Sequence, residues 1–505
     1  MAEEILYRLQ LPDLPQPNLF DVTAFVGREA LARPFRYEID FLAGSADLDL
    51  NAIVTRRAVL QIEVRGHGHR VKGVVWQAEL VRALPYHQYL YRIVLVPRLQ
   101  LMQLSRQNQI YGTEGEVTIP EIVTQELKGD VEKGDPDSPR LLDGDFEFRL
   151  DRPYAKRDYV VQYRETDFDF VSRLLEHAGI CYFFDMGTPD GAGEKIVFAD
   201  SKAHHPNIPH GGVLDFRDSA DGFKPGDFVV TEFRPIARPV PSRLVVKDYN
   251  YRTPNVALRV DEPVDEAGYG IVVLYGEHFR NMDEGRVLAH IRAEEAGCLK
   301  ETFEGISGCC HVAPGYRFKM QNHMRPAYDQ MYLFVETTHR GNRPMPGVAV
   351  RDVNGVEQPG YEVRFTAIPA DRQFRPARIT PKPRLHGVMH GHIDSETLTS
   401  RAELDSQGRY KVAIPFDLSG RSKGKASRYI RMAQPYGGSG QGMHFPLLKG
   451  TEIIWTCIDG DPDRPIIIGT VPNPTQPSVV TQGNNRSNVL RTTSGINMEF
   501  FDGSG

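Results

Sequence analysis

The sequence predicts a mainly β protein, of the β-rich α+β class, and three observations carry that prediction. Runs with apolar residues at every second position outnumber helix-like runs, as in "FRYEIDF" from Phe35 to Phe41. Glycine and proline, which favour turns, occupy 46 and 36 of the 505 positions. The hydrophobic fraction of 40% and the charged fraction of 25% are ordinary for a globular chain of two to four domains.

Charge, targeting signals and cysteines disfavour several classes of protein. A net charge of -6 disfavours nucleic acid as the main partner. No apolar run approaches the length of a membrane span, and "MAEE" at the N-terminus lacks the basic and apolar regions of a secretory signal. We therefore expect synthesis in the cytoplasm and, if the protein leaves the cell, another export route. The five scattered cysteines predict reduced thiols rather than a disulfide framework.

Three short helices are expected among the predicted strands. The segment "TIPEIVTQEL" follows the rules for a helix start, with Thr118 as its N-cap. A second helix is expected between Thr166, its N-cap, and Gly179, which supplies a left-handed stop. A third is expected from Met282 to Ala296, after the capping residue Asn281.

A change of composition near residue 380 predicts a domain boundary. The stretch "RQFRPARITPKPR", residues 372–384, combines three prolines with basic residues and no acid. We expect a solvated linker here, and contact with an acidic partner surface is the alternative. Five strand candidates follow and fit a small Greek-key barrel such as an OB-fold. They are 385–394, 408–416, 429–434, 451–458 and 465–471.

The acidic stretch "DGDPDR" between the last two strand candidates raises the question of a metal or catalytic site. Its carboxylates Asp459, Asp461 and Asp463 alternate as in an EF-hand, but the glycine and glutamate that such a loop needs at its sixth and twelfth positions are missing. Carboxylates on one tight turn do not face each other across a cleft, as a glycosidase pair does. We interpret the stretch as a turn set by Gly460 and Pro462, with its carboxylates facing solvent.

Two other motifs are interpreted as structural. Cys309, Cys310 and His311 are adjacent, which does not match the ligand spacing of a zinc site. The basic loop "SGRSKGKASR" could follow phosphates, but exposed aromatic residues that would stack on bases are not evident beside it. Its basic residues are Arg421, Lys423, Lys425 and Arg428. No catalytic, cofactor-binding or metal-binding residue is therefore assigned.

Four blocks of sequence, spread over most of the chain, form a specific combination. They are "VQYRETDFDFVSRLLEHAGICYFF" at 161–184, "HVAPGYRFKMQNHMRPAYDQMYLFVETTHRG" at 311–341, "FRPARITPKPRLHG" at 374–387 and "GDPDRPIIIGTVPNPTQP" at 460–477, preceded by "YIRMAQPYGG" at 429–438. Together they resemble VgrG, the valine-glycine-repeat spike protein family of type VI secretion systems. That family is similar to the baseplate hub and central spike of contractile phage tails.

The resemblance implies a homotrimer of three parts with no enzymatic activity and no cofactor. Residues 1–379 would form phage-hub-like β-barrel domains with helical insertions, residues 380–474 an OB-fold domain, and residues 475–505 the neck and the start of a triple-stranded β-helix. Such a spike caps the inner tube, contacts baseplate components, carries a tip-sharpening protein and effectors, and punctures a target membrane. It would assemble in the bacterial cytoplasm and be secreted by the contractile apparatus without a signal peptide.

Two features depart from the family pattern, and other functions are weighed beside the spike. Tyr429 stands where the family usually has Trp, and the sequence stops at "INMEFFDGSG", where the needle would begin, so we expect a fragment or a very short needle. The hub of a phage tail or of an extracellular contractile particle is the alternative. A cell-wall hydrolase is less favoured, because only residues 472–491 are available for an inserted domain. An OB-fold nucleic-acid binder is also less favoured.

The last residues predict where three chains would meet. After the polar stretch "TQGNNRSN", apolar side chains follow that nothing nearby in the sequence covers. Strands from neighbouring chains could supply both backbone partners and an apolar wall. The expected contacts of this trimer neck are Val489, Leu490, Ile496, Met498, Phe500 and Phe501.

Overall fold

The structure is a computed structural model that describes residues 5–15, 18–129, 141–188, 193–218, 227–343 and 360–503. The first strands along the chain are β1 (Ile5–Gln10), β2 (Leu19–Ala30), β3 (Arg33–Ala43), β4 (Arg57–Val64), β5 (His67–Leu84), β6 (Gln88–Val96), β7 (Arg106–Tyr111), β8 (Phe146–Arg149), β9 (Val160–Thr166), β10 (Cys181–Asp185), β11 (Lys195–Ala199), β12 (Val213–Phe216), β13 (Val229–Ala237) and β14 (Arg243–Asp248). The later strands are β15 (Leu258–Pro263), β16 (Ile271–Tyr275), β17 (Glu301–Ser307), β18 (Arg317–Gln321), β19 (Met331–Asn342), β20 (Gly360–Pro369), β21 (Met389–Asp394), β22 (Lys411–Ala413), β23 (Gly437–Gly438), β24 (Gln441–Gly442), β25 (Glu452–Cys457), β26 (Pro465–Thr470), β27 (Ser487–Arg491) and β28 (Asn497–Phe501). The α-helices are α1 (Leu50–Ile53), α2 (Ile119–Lys128), α3 (Asp167–Ala178) and α4 (Met282–Gly297).

The chain folds into two compact units, each built from several segments. The first unit comprises Met1–Ser105, Ile119–Ala155 and Thr166–Pro381. The second unit comprises Arg106–Thr118, Lys156–Glu165 and Lys382–Gly505. The second unit therefore includes two short segments that precede the basic stretch 372–384, in addition to the chain that follows it.

Two closed barrels make up most of the first unit. One large sheet runs in the order β1-β4-β5-β6-β3-β2-β19-β18-β12-β13-β17-β20. The additional pairing of β1 with β2 closes the first six strands into a ring, and the pairing of β19 with β20 closes the other six. The antiparallel pair β2–β19 joins the two rings. The predicted mainly β fold with barrels is confirmed, and the alternating face of β3 is buried as expected.

The three predicted helices form, and the caps predicted for α3 and α4 are present. In α3 the side chain of Thr166 accepts a hydrogen bond from the Asp169 N–H at 3.0 Å, and Gly179 ends the helix at a φ of 67°. In α4 the Asn281 side chain accepts from the Glu284 N–H at 2.9 Å. These signals are local in sequence, which is why they predict the helix ends well. No helix in the described ranges is both long and apolar enough to cross a membrane.

The second unit contains the OB-fold, with one predicted strand reduced to single bridges. Its sheet has the order β22-β21-β25-β26. The stretch 429–434 forms no ladder, but Ile430 pairs with Tyr410 and Met432 pairs with Ile467 as isolated bridges. This stretch therefore links the two ends of the sheet and closes the barrel without becoming a regular strand.

The core of the second unit draws on all of its chain segments. Ile110 of β7 and the β9 residues Val161 and Tyr163 belong to the same buried cluster as Tyr410 and Trp455 of the barrel. The Trp455 indole N–H donates to the His390 carbonyl at 3.1 Å, so the one polar atom of this ring is satisfied.

Candidate assembly site

The predicted neck residues lie on a C-terminal hairpin. Strands β27 and β28 pair antiparallel, with Leu490 opposite Met498 and Asn488 opposite Phe500. The turn between the strands is held by the Thr492 N–H, which donates to the Ile496 carbonyl at 2.9 Å. An isolated two-stranded hairpin is at best marginally stable in water, so this hairpin needs a covering partner.

The register divides the predicted neck residues between two faces of the hairpin. Residues directly opposite each other share a face. Leu490, Met498 and Phe500 therefore share one face, where they are 37%, 55% and 63% exposed. Val489 and Phe501 lie on the opposite face, beside the charged Glu499 and Arg491 of the ladder, and Ile496 lies in the turn. The hairpin thus presents one mainly apolar face, which also carries Asn488, and one mixed face.

The acidic turn does not present all its carboxylates to solvent, which corrects the sequence interpretation. Gly460 has a φ of 65°, as a turn with a left-handed position requires. Asp459 is exposed, but Asp461 and Asp463 are turned inward, and each has a carboxylate oxygen 2.6 Å from the Lys382 ammonium. The expectation of three solvent-facing carboxylates is therefore wrong for two of them, because a lysine distant in sequence supplies the compensating charge.

Asp463 also organises a neighbouring strand of its own unit. Its second carboxylate oxygen accepts a hydrogen bond from the Val161 N–H of β9 at 2.7 Å. The side chain of Asp463 is only 9% exposed. A buried carboxylate with an ammonium and an amide as donors is a structural element, and its lone pairs are not presented to a substrate.

The basic stretch 372–384 is not a solvated linker at Arg375, which corrects the favoured sequence interpretation. Arg375 is 7% exposed, and its guanidinium donates to Glu294 of α4 at 2.7 Å. It also donates to the carbonyls of Gly179 and Asp200, each at 2.8 Å. The acidic surface that receives this basic stretch is thus part of the same unit of the same chain.

Arg378 extends this attachment to two more carboxylates. It donates to Glu277 at 2.7 Å and to Glu295 of α4 at 3.1 Å. Burial acts to raise the pKa of Glu277, but Arg292 and Arg378 hold that pKa below its usual range. The charges of Arg375 and Arg378 are therefore neutralised within the first unit.

Three of the four basic residues in the loop that suggested a nucleic-acid site are engaged within the second unit, and two of them form ion pairs. Arg421 donates to a carbonyl of β7 at 2.8 Å, and Lys425 lies 3.2 Å from Glu114. Arg428 forms an ion pair with Asp158. All of these partners belong to the second unit, so the loop has far less free positive charge than its sequence indicates.

A buried polar network that was not predicted from the sequence joins the two barrels. The Tyr37 hydroxyl donates to Glu29, and the Tyr361 hydroxyl lies 2.6 Å from His339 Nδ1. His339 Nε2 lies 3.8 Å from the Glu29 carboxylate. Burial raises the pKa of Glu29 to about 7 and lowers that of His339 to about 3. The sequence held one sign of this network, because Glu29 is an acid at an inward-facing position of β2, two residues after the buried Gly27.

Comparisons with known proteins agree with this architecture. Residues 28–345, more than half of the chain, match the family model of the phage tail baseplate hub (GPD). The chain belongs to this hub family. Residues 399–471 match the type VI secretion system/phage-baseplate injector OB domain. The resemblance proposed from the four sequence blocks is thereby confirmed.

Curated relatives align with nearly the whole chain. It is 27% identical over 468 residues to the type VI secretion system spike protein VgrG4b of Pseudomonas aeruginosa, covering 89% of this chain and 54% of the relative. It is 28% identical over 467 residues to VgrG5 of the same organism, covering 89% and 55%. The chain spans about half the length of these curated relatives.

Solved structures share the fold at lower identity. The Escherichia coli c3393 protein, a type VI secretion component similar to the T4 bacteriophage tail proteins gp27 and gp5, superposes with a TM-score of 0.62 at 24% identity, covering 92% of this chain and 99% of that one. The Francisella PdpA–VgrG complex gives a TM-score of 0.57 at 11% identity, covering 98% and 75%. These likenesses show that the fold is shared over most of the chain.

Proposed function

We propose that this chain is the hub and OB portion of a type VI secretion spike, a structural homotrimer that caps the inner tube and delivers effectors through a target membrane. The observation that carries the proposal is the pair of closed barrels joined through β2 and β19, in a chain that also holds an OB unit and a hairpin with an apolar face. The hub family and the spike relatives supply the biological setting.

The trimer is supported by two exposed apolar features. The first is the hairpin face formed by Leu490, Met498 and Phe500. The second is β16, an edge strand that pairs only with β14 within the described residues and exposes Ile271 and Val273. Exposed apolar edge strands associate with other chains unless they are covered. Neighbouring copies around a three-fold axis would cover both features.

A structural rather than a catalytic role is supported by the ion pairs that the carboxylates of the acidic turn form. The turn that first suggested a reactive carboxylate cluster is engaged with Lys382 and, at Asp459, with Arg384 at 3.0 Å.

We propose that the partners are the inner-tube protein, baseplate components, a tip-sharpening protein and effectors. The chain would assemble in the bacterial cytoplasm, leave with the contractile apparatus, and contact nucleic acid at no stage.

In the second candidate function, the chain has the same architecture but belongs to a different contractile apparatus. The family model that covers residues 28–345 describes a phage baseplate hub, and the OB model names both systems. A phage tail or an extracellular contractile particle would use the same trimer, so the two candidates differ in the surrounding apparatus.

The experiment has two steps, one that measures the oligomeric state and one that identifies the contractile apparatus. Sedimentation velocity of the purified 505-residue chain at micromolar concentration is expected to give a mass three times that of one chain. A monomer would refute the trimer. The protein is then followed in the medium of cells with and without the sheath-recycling ATPase. Release that depends on this ATPase supports type VI secretion, and release only on lysis supports the phage alternative.

A further inference from the structure

Three histidines that are far apart in the sequence converge on one place in the first unit. His67 begins β5, His210 lies in the loop before β12, and His311 follows β17. Each offers one ring nitrogen, and these nitrogens all lie within 4.8 Å of one another. The group became visible only in three dimensions, because no two of these histidines are neighbours along the chain.

The spacing of the rings resembles that of a three-histidine metal site. Nitrogens about 2.0–2.1 Å from a tetrahedral zinc ion would place imidazole centroids roughly 5 Å apart. The centroids of His67 and His210 are 5.2 Å apart, and those of His210 and His311 are 5.4 Å apart. The remaining pair, His67 and His311, is 6.4 Å apart. A rotation of one side chain that moves its ring by about 1 Å would complete the tetrahedral arrangement.

His311 supplies an independent sign that a ligand belongs here. Its Nε2 atom is shielded from solvent and has no hydrogen-bond partner among the described residues. Buried polar atoms of this kind are rare in native proteins and call for an explanation such as an ion.

The surroundings hold the ligands in place and leave an entry path. The Phe228 ring lies against all three histidines, with centroid distances of 4.6, 5.2 and 5.9 Å. The Cys310 thiol donates to the His67 carbonyl at 3.7 Å and so contacts the ligand backbone. His210 is exposed and has a φ of 60°, an uncommon conformation for a residue other than glycine. A metal ion could reach the group from the His210 side.

We propose that His67, His210 and His311 bind one divalent transition metal ion of the zinc class, with a fourth position open to water or to a further ligand. Three imidazoles suit zinc, cobalt, nickel and copper and do not suit calcium or magnesium. The ion would fasten three separate chain segments of the first unit to one another. Cys309 and Cys310 are not ligands of this site, since adjacent ligands do not match the spacing of a zinc site.

The test uses the full chain, purified without a histidine tag and treated with a chelator. Cobalt(II) alone is titrated into it, and the d–d absorption is recorded. His210→Asn removes one ligand, and His87→Asn is its matched control, because both histidines are exposed and have positive φ values of 60° and 53°. Asparagine tolerates this conformation, so both variants should fold.

We expect one tetrahedral cobalt ion per wild-type chain, displaced by zinc, and the same result for His87→Asn. His210→Asn should weaken binding by more than about tenfold. Wild-type affinity in His210→Asn, equal loss in His87→Asn, or an octahedral spectrum would each overturn the proposal. Sedimentation of the metal-free chain reports the trimer separately, so failure of the metal site and failure of the spike function are distinguishable.

Discussion

Replacing the apolar face of the C-terminal hairpin should weaken the proposed trimer. The variant carries Met498→Ser and Phe500→Ser, which removes two of the three large side chains that share this face. Both positions lie on an exposed two-stranded ladder, so the substitutions disturb no core within the chain. Their effect should therefore appear in the association of chains, with little change in the unfolding of the hub.

The expected loss of association free energy follows from the exposed fractions of the two side chains. Phe500 is 63% exposed and Met498 is 55% exposed, which together equal slightly more than one fully exposed side chain. Burying this much apolar surface contributes about 2–3 kcal/mol per chain, or about 6–9 kcal/mol per trimer. In a monomer–trimer equilibrium, the protein concentration at half assembly depends on half of the change in association free energy per trimer. This concentration should therefore rise about a hundred- to a thousandfold.

Sedimentation velocity over a dilution series measures this shift. Phe501→Ser is the matched control, because Phe501 is 67% exposed but lies on the opposite, mixed face of the hairpin. We expect the control to dissociate much closer to the wild-type concentration than the double variant does. Identical dissociation of the wild type and the double variant would refute the assigned face, and equal weakening by the control would refute the division between faces.

Three further predictions concern buried charges. Arg375→Met should lower the free energy of unfolding by about 3–5 kcal/mol, because it leaves Glu294 and two carbonyls without their donor. Arg384→Met, which removes an exposed pair, should cost at most about 1 kcal/mol in the same urea titration. Asp463→Asn should destabilise by about 1–3 kcal/mol, and an unchanged urea midpoint would restore the solvent-facing interpretation of the turn. Burial raises the pKa of Glu29 to about 7 in the folded chain, against about 4.3 in the unfolded chain. The wild type should therefore lose about 4 kcal/mol of stability relative to Glu29→Gln as the pH rises through this window. Parallel pH profiles of the two proteins would contradict this last prediction.

Features set by neighbouring residues were predicted well from the sequence. Thr166 and Gly179 bound α3 because a cap and a left-handed stop act within one turn. Phe35 and Phe41 are buried on one face of β3 because alternation is a property of a single strand. The closed barrels followed from the family resemblance, since strand pairing at long range leaves no local pattern.

Features set by distant partners were predicted poorly. The burial of Asp461 and Asp463 depends on Lys382, which lies in the basic stretch 372–384, far from the turn in sequence. Arg375 stood in a stretch whose composition resembles a solvated linker, and only the fold shows that α4 presents Glu294 to it. The converging histidines and the Glu29 network had no sequence signature for the same reason. In each case the interacting residue is brought close by the tertiary fold and not by its spacing along the chain.

The segmented second unit has a consequence for biosynthesis and for gene exchange. Ile110, Val161 and Tyr163 leave the ribosome long before Trp455, the residue whose core cluster they share. At ordinary translation speed the early strands wait on the order of tens of seconds for that partner. A cassette that starts at Lys382 would carry the barrel without these side chains, so recombination at this position should yield aggregation-prone products. Functional shuffling among spike genes is therefore expected to preserve the early segments together with the barrel that they complete.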